Sequence, residues 1–148
     1  MSKPDPVSFA STILVRDTCL CLHAQRAARA LARHFDDVLR PIGITSGQFS
    51  LLMSLNRPEP PSISSVAQLL AMDRTTLTAN LKPLERRGLL KIAVDKEDRR
   101  SRRLVLTAEG RTVLAKAFPL WRETHAAIEK KITESGPELV RTALRTLS

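Results

Sequence analysis

Between Asp73 and Gly88 the chain reads DRTTLTANLKPLERRG, and this run limits the possible folds more than any other. Asp73 can accept a first-turn backbone N–H and start a helix. Gly88 suits the left-handed position that closes one, and Leu89 is placed for the apolar contact that goes with it. Leu77, Leu81 and Leu84 share one stripe, which turns Arg74, Thr75, Thr76, Thr78 and Lys82 outward. Pro83 should bend or weaken the last turns. Two short apolar runs follow at once, LLKIAV and RRLVLT, and both read as strands. The link between them is too long for a tight hairpin and is charged: five of the eight residues from Lys96 to Arg103 are basic.

The neighbouring segments are helical. From Asp17 to Arg40, apolar residues recur three or four apart at Leu20, Ala24, Ala27, Leu31, Phe35 and Val38, so one long helix is expected, ended by Pro41 and Gly43. Residues 1 to about 12 are expected to be loosely ordered. Thr45 with Gln48 forms a capping box before SGQFSLLMSL. RPEPP then breaks the chain, and SSVAQLLAM reads as a short helix capped by Ser64. A long helix is expected from Thr107 to about Glu134, with Pro119 a possible kink. Gly136 and Pro137 precede a last helix, Glu138 to Leu147.

The chain has 148 residues, consistent with one domain. Its 24 Lys and Arg outnumber 15 Asp and Glu, a formal charge of +9, which favours a polyanionic partner. No apolar run is long enough to span a bilayer, and no cleavage pattern follows the mildly apolar VSFASTILV, so a membrane partner is not expected. Two cysteines without a signal segment point to a reducing, cytoplasmic setting.

Two short helices, the second polar outside, followed by a hairpin with a basic tip describe a winged helix-turn-helix. The fold class expected is mostly α with a small β-hairpin. Such a unit places its second helix in the DNA major groove, and a guanidinium on the wing can enter the minor groove. The rival from another class is a winged helix used as a protein-interaction module. At these residues the sequence resembles the MarR family of bacterial regulators, over about Asp17 to Leu147. Asp98-Arg99-Arg100 followed by LVLTAEG resembles that family's wing and the helix start after it; GITSGQFSLLMSL and LKPLERRGLL match its usual run.

The resemblance implies a single domain over 1–148, a homodimer and no enzyme activity. About 17–44 and 108–148 would form the dimerisation lobe and about 45–107 the DNA-binding lobe. It implies a regulator, a repressor by expectation, that leaves a pseudo-palindromic operator on a signal. Arg100 then matches the minor-groove arginine and Asp98 the acid that braces the wing, by pairing with an arginine. Arg74, Thr75, Thr76 and Thr78 lie on the outer face of the recognition helix, where they can bond phosphates or base edges, with Lys82 meeting the backbone and Arg99 and Arg102 as lesser DNA contacts on the wing.

Two kinds of signal are open. CLCLH holds Cys19, Cys21 and His23, but residues two apart on a helix diverge by about 200°, which disfavours both a metal site and a Cys19–Cys21 disulfide. A metal sensor using the trio remains an alternative; no metal or other cofactor is expected. Cys21 aligns with Ala24, Ala28 and Phe35, so it is either a buried small residue or a redox-active thiol. LCLHAQRA resembles the first helix of the organic-peroxide regulators in the same family, which implies Cys21 as the reactive thiol; unlike them, this chain has no tyrosine. The other signal is a small aromatic carboxylate or acyl thioester in a cleft lined by His23, Arg26, Phe49, Trp121 and His125.

Overall fold

A computed structural model describes residues 6–148. The order of elements is α1 (Phe9–Thr18), α2 (Leu20–Leu39), a 3-10 turn (Arg40–Ile42), α3 (Ser46–Ser54), α4 (Ile63–Leu69), α5 (Arg74–Arg86), β1 (Leu90–Val94), β2 (Arg102–Leu106), α6 (Ala108–Glu129) and α7 (Pro137–Thr146). The chain forms two compact units, divided between His34 and Phe35.

The first unit corrects the sequence reading in two places. A helix already begins at Phe9, because the Ser8 hydroxyl accepts the Ser11 N–H and caps it. The long helix is not continuous from Asp17. It breaks at Cys19, whose backbone is extended at φ −68°, ψ 110°. Thr18 turns its hydroxyl back onto the Leu14 carbonyl, and the Cys19 sulfur accepts the Leu22 N–H. These bonds satisfy groups left over where one helix stops and the next starts, so the break carries little penalty. Among the described residues of this unit none is buried.

The second unit holds the core: Leu39, Leu52, Val66, Leu77, Leu81, Leu84 and Leu104 are fully buried. Phe49 is a core residue as well. The capping box at Thr45 and Gln48 starts α3. The cap of α4 is Ser62 rather than Ser64: its hydroxyl accepts the Ser65 N–H, and Ser62 also bridges to Arg103. That second tie is non-local, so sequence spacing could not separate two serines two apart. α5 closes as expected, with Gly88 at φ +72° and the Leu89 N–H on the Leu84 carbonyl. α6 stops at Glu129, short of Glu134, and runs through Pro119.

β1 and β2 pair antiparallel, with Leu90 opposite Leu106, Ile92 opposite Leu104 and Val94 opposite Arg102. On the far side of β2 the Leu104 N–H donates to the Pro61 carbonyl at 2.9 Å. The RPEPP loop therefore lies alongside the hairpin as a partial third strand. α6 leaves the sheet at Gly110, where a β-carbon would run into the Leu89 carbonyl oxygen and the Leu106 side chain. Gly110→Ala should destabilise the fold by about 1–3 kcal/mol through overpacking; chemical denaturation measures it, and an unchanged midpoint would show that the sheet can yield there.

Candidate nucleic-acid interface

The helix-turn-helix is α4, a tight turn and α5. The turn contains Ala71 at φ 52°, a left-handed backbone in a residue with a β-carbon. Asp73 then caps α5, accepting the Thr76 N–H at 2.7 Å and the Thr76 hydroxyl at 2.8 Å. Those two bonds, the backbone one first, hold the Asp73 carboxyl below its ordinary value of 3.8. Thr76 is thus part of the cap. Thr78 donates its hydroxyl to the Arg74 carbonyl at 2.8 Å, which leaves its oxygen free to accept. Arg74, Thr75, Thr78, Ala79 and Lys82 line one shallow groove of about 340 Å³, on the face opposite Leu77, Leu81 and Leu84. Arg87, just past the helix, donates to the Gly43 carbonyl at 2.8 Å and ties the end of α5 to the turn before α3.

The wing is braced differently from the sequence expectation. Asp98 does not pair with an arginine side chain; its carboxylate accepts the Arg100 backbone N–H at 3.0 Å, a local turn that needs no cation. The ion pair belongs to Asp95 and Arg103, at 2.8 Å, and both residues escaped the sequence reading. Asp95 faces Ser101 across the hairpin, so Arg103 is its diagonal neighbour on the same face. Arg103 also donates to the Pro60 carbonyl, joining the wing to the RPEPP loop. The signal that could have found the pair was the register: an acid one residue past β1 meets an arginine near the start of β2. Asp95 is buried, and the Glu97 N–H, followed by Arg103, holds its carboxyl below the ordinary range.

At the tip Arg102 folds back onto the Arg99 and Ser101 carbonyls. The guanidinium groups of Arg99 and Arg100 have no protein partner among the described residues. The wing therefore presents two free cations on a loop fixed at its base, next in sequence to a helix with a polar outer groove.

The signal candidates are placed as follows. Cys21 is exposed in this chain rather than facing an interior, and its sulfur accepts the Gln25 amide at 3.4 Å. Cys19 is half-buried, and the His23 ring nitrogen Nδ1 lies 2.7 Å from the Cys19 carbonyl oxygen. Among the described residues no three His, Cys, Asp or Glu side chains gather as metal ligands, so the trio does not form the alternative metal site. Arg26 and His23 stand exposed on α2. Phe49, Trp121 and His125 form a stack, with ring centroids 6.1 Å and 4.8 Å apart. His125 continues to Glu129 at 2.9 Å, and Arg141 links Glu129 to Glu138 on α7. Arg145 and then Arg141 hold the Glu138 carboxyl below its ordinary value.

Asp73, Asp95 and Glu138 all have lowered carboxyl values in the fold. Their contributions are complete above the ordinary carboxylate range and disappear as pH falls through the lowered folded values. Thermal stability should therefore be insensitive to these three groups at neutral pH and should fall in acid; a melting series against pH reads it.

Fold and site together define a winged helix-turn-helix protein. The family model described as MarR family matches residues 44–101. Mycobacterium tuberculosis MosR, a transcriptional regulator solved in complex with DNA, is 37% identical, covering 88% of this chain and 93% of that one, with a TM-score of 0.80. The organic hydroperoxide resistance transcriptional regulator of Bacillus subtilis is 29% identical over 128 residues, 86% of each chain. TtmR of Methylorubrum extorquens is 33% identical over 100 residues, 68% of this chain; the match spans about half, 51%, of TtmR. The chain belongs to the MarR family of transcriptional regulators. Among its described residues no helix is long and apolar enough to cross a membrane.

Proposed function

We propose that the protein is a cytoplasmic, homodimeric regulator, a repressor, that binds a pseudo-palindromic operator in duplex DNA and leaves it on a chemical signal. Its activity is binding, not catalysis. The observation that carries this reading is the pair of free guanidinium groups, Arg99 and Arg100, on a hairpin braced by Asp95 and Arg103. The groove of Arg74, Thr75, Thr78 and Lys82 on α5 supports it. α5 enters the major groove and the wing the flanking minor groove. About 45–107 form the DNA-binding lobe, and about 17–44 with 108–148 the dimerisation lobe. The test is fluorescence anisotropy with duplexes from the flanking intergenic DNA at rising salt. A linear fall of log affinity with log salt is expected. Absent binding would favour the protein-interaction reading.

The signal reading rests on two features. Cys21 is exposed near the start of α2, and a relative is named as an organic hydroperoxide regulator. Attack of the thiolate on a peroxide O–O bond gives a sulfenic acid and releases an alcohol. Organic peroxide should lower DNA affinity several-fold, and Cys21→Ser should abolish the response, while Cys19→Ser alters at most its reversibility. Binding curves before and after peroxide decide it. An unaltered response in Cys21→Ser removes the thiol reading and leaves a small-molecule effector.

A further inference from the structure

We infer that the side of α2 carrying Arg26, Arg29 and Arg33 is a second DNA-binding surface, which grips the phosphate backbone outside the operator without reading sequence. At about 100° per residue the three arginines fall within one narrow arc of the helix. Leu20, Ala24, Ala27 and Leu31 fall on the opposite side, where Leu20 and Leu31 are exposed at 70% and 43%. A second copy that covers the apolar side therefore leaves the arginines facing outward. The stripe belongs to the first compact unit, whereas α5 and the wing belong to the second. The inference goes beyond the regulator reading above and rests on it only in that an operator exists.

The charge on this stripe is unrelieved. All three arginines are exposed, and among the described residues none has a hydrogen bond or an ion pair. No acid stands between Asp17 and Asp36 in the sequence. The flanking acids are engaged elsewhere: Asp17 by Arg16, Asp36 by the Ser46 N–H and Asp37 by Arg40. Arg26 with Arg29, and Arg29 with Arg33, are like charges three and four residues apart, an arrangement that weakens a helix. A polyanion laid along the stripe removes that repulsion.

The neighbouring side chains decide which polyanion fits. From Leu22, which is half-buried, to Arg33 the one large exposed apolar side chain is Leu31, on the opposite side. A protein partner is held by buried apolar anchors, and this side has none to offer or to cover. It also lacks the apolar side chains that enter a lipid headgroup layer. A phosphate backbone needs only cations. Adjacent side chains on a helix stand about 5–6 Å apart at Cβ, which lets neighbouring guanidinium groups meet successive phosphates of one strand. Arg26, expected from the sequence in an effector cleft, is the first member of this stripe. A regulator so equipped keeps hold of DNA while its reading helices are off the operator, and searches by sliding and hopping.

The experiment follows the anisotropy of a labelled duplex of scrambled sequence against salt, with the full chain. Wild type is compared with Arg26→Gln/Arg29→Gln/Arg33→Gln and with Arg26→Lys/Arg29→Lys/Arg33→Lys. At low salt the glutamine variant should bind about tenfold weaker or more, and the slope of log affinity against log salt should shrink by about 0.9 for each arginine seated. The lysine variant should restore both, because a point charge suffices for a phosphate. The melting temperature should hold or rise in the glutamine variant, since like charges are removed. With α5 and the wing disabled by Arg74→Ala/Arg100→Ala, binding of the scrambled duplex should persist, and adding the three glutamines should abolish it. An unchanged slope in the glutamine variant overturns the surface. So does a loss that lysine does not restore, which marks a structural role. The same proteins are sedimented with phosphatidylglycerol vesicles; a loss confined to vesicles, with duplex affinity unmoved, overturns the inference in favour of a membrane. Failure of the regulator reading looks different: wild type then binds operator and scrambled duplexes alike.

Discussion

Arg100→Ala should weaken operator binding by about 1–3 kcal/mol, roughly tenfold to a hundredfold, with the fold unaffected. Arg100 sits on the exposed tip, its backbone N–H held by Asp98 and its guanidinium free, so removing it breaks no contact within the chain. In the minor groove it meets the deepest negative potential of the duplex. The slope of log affinity against log salt should fall by about one unit for each wing seated. Arg102→Ala should cost less, because that guanidinium is spent on the Arg99 and Ser101 carbonyls. Asp95→Ala is expected to fall between them, since it frees Arg103 and loosens the base of the hairpin without touching DNA. Equal binding by wild type and Arg100→Ala at moderate salt would remove the wing from the interface.

Leu139→Asp with Leu144→Asp should abolish dimerisation and lower operator affinity by roughly 10²–10⁴-fold, the avidity lost when two half-sites are read separately. Both leucines are exposed on α7, at 64% and 50%, and neither belongs to the core. Exposed leucines on a helix held to α6 through Glu129 and Arg141 leave apolar surface to be covered. A chain cut after Ala108 would be a poorer test. It also removes Leu114 and Ala117 from the core, so loss of binding could reflect loss of the fold. Sedimentation of the double variant should show a folded monomer; a stable dimer would place the interface elsewhere.

The helix-turn-helix was legible because its signals are local. Asp73 with Thr76, Thr45 with Gln48, and Gly88 with Leu89 each act within five residues. What escaped was set from a distance or against the pattern. No glycine or proline marks the break just before Leu20, where the apolar spacing of α2 begins; only the extended backbone at Cys19 and the sulfur cap reveal it. Ser62 and Ser64 are equivalent as caps until the strand contact with Arg103 selects the first. Asp95 and Asp98 are likewise equivalent in composition, and the hairpin register decides which one reaches an arginine. The outward face of α5 was read correctly as a face, but not that Thr76 is absorbed by the cap and Thr78 is folded onto its own helix.

The contact between β2 and the RPEPP loop bears on how the protein behaves at high concentration. A two-stranded hairpin has two lateral edges, each a row of unpaired amide groups that can recruit a strand from another molecule. Here the Pro61 carbonyl takes the Leu104 N–H, and Ser62 bridges to Arg103, so the β2 side is closed by the chain itself. Pro60 and Pro61, which have no N–H to offer, form the new margin. The β1 side stays open, but it is only five residues long and carries Lys91. Strand-to-strand growth is thus blocked on one side and discouraged by charge and shortness on the other, which lets a basic tip project from the surface without seeding aggregates.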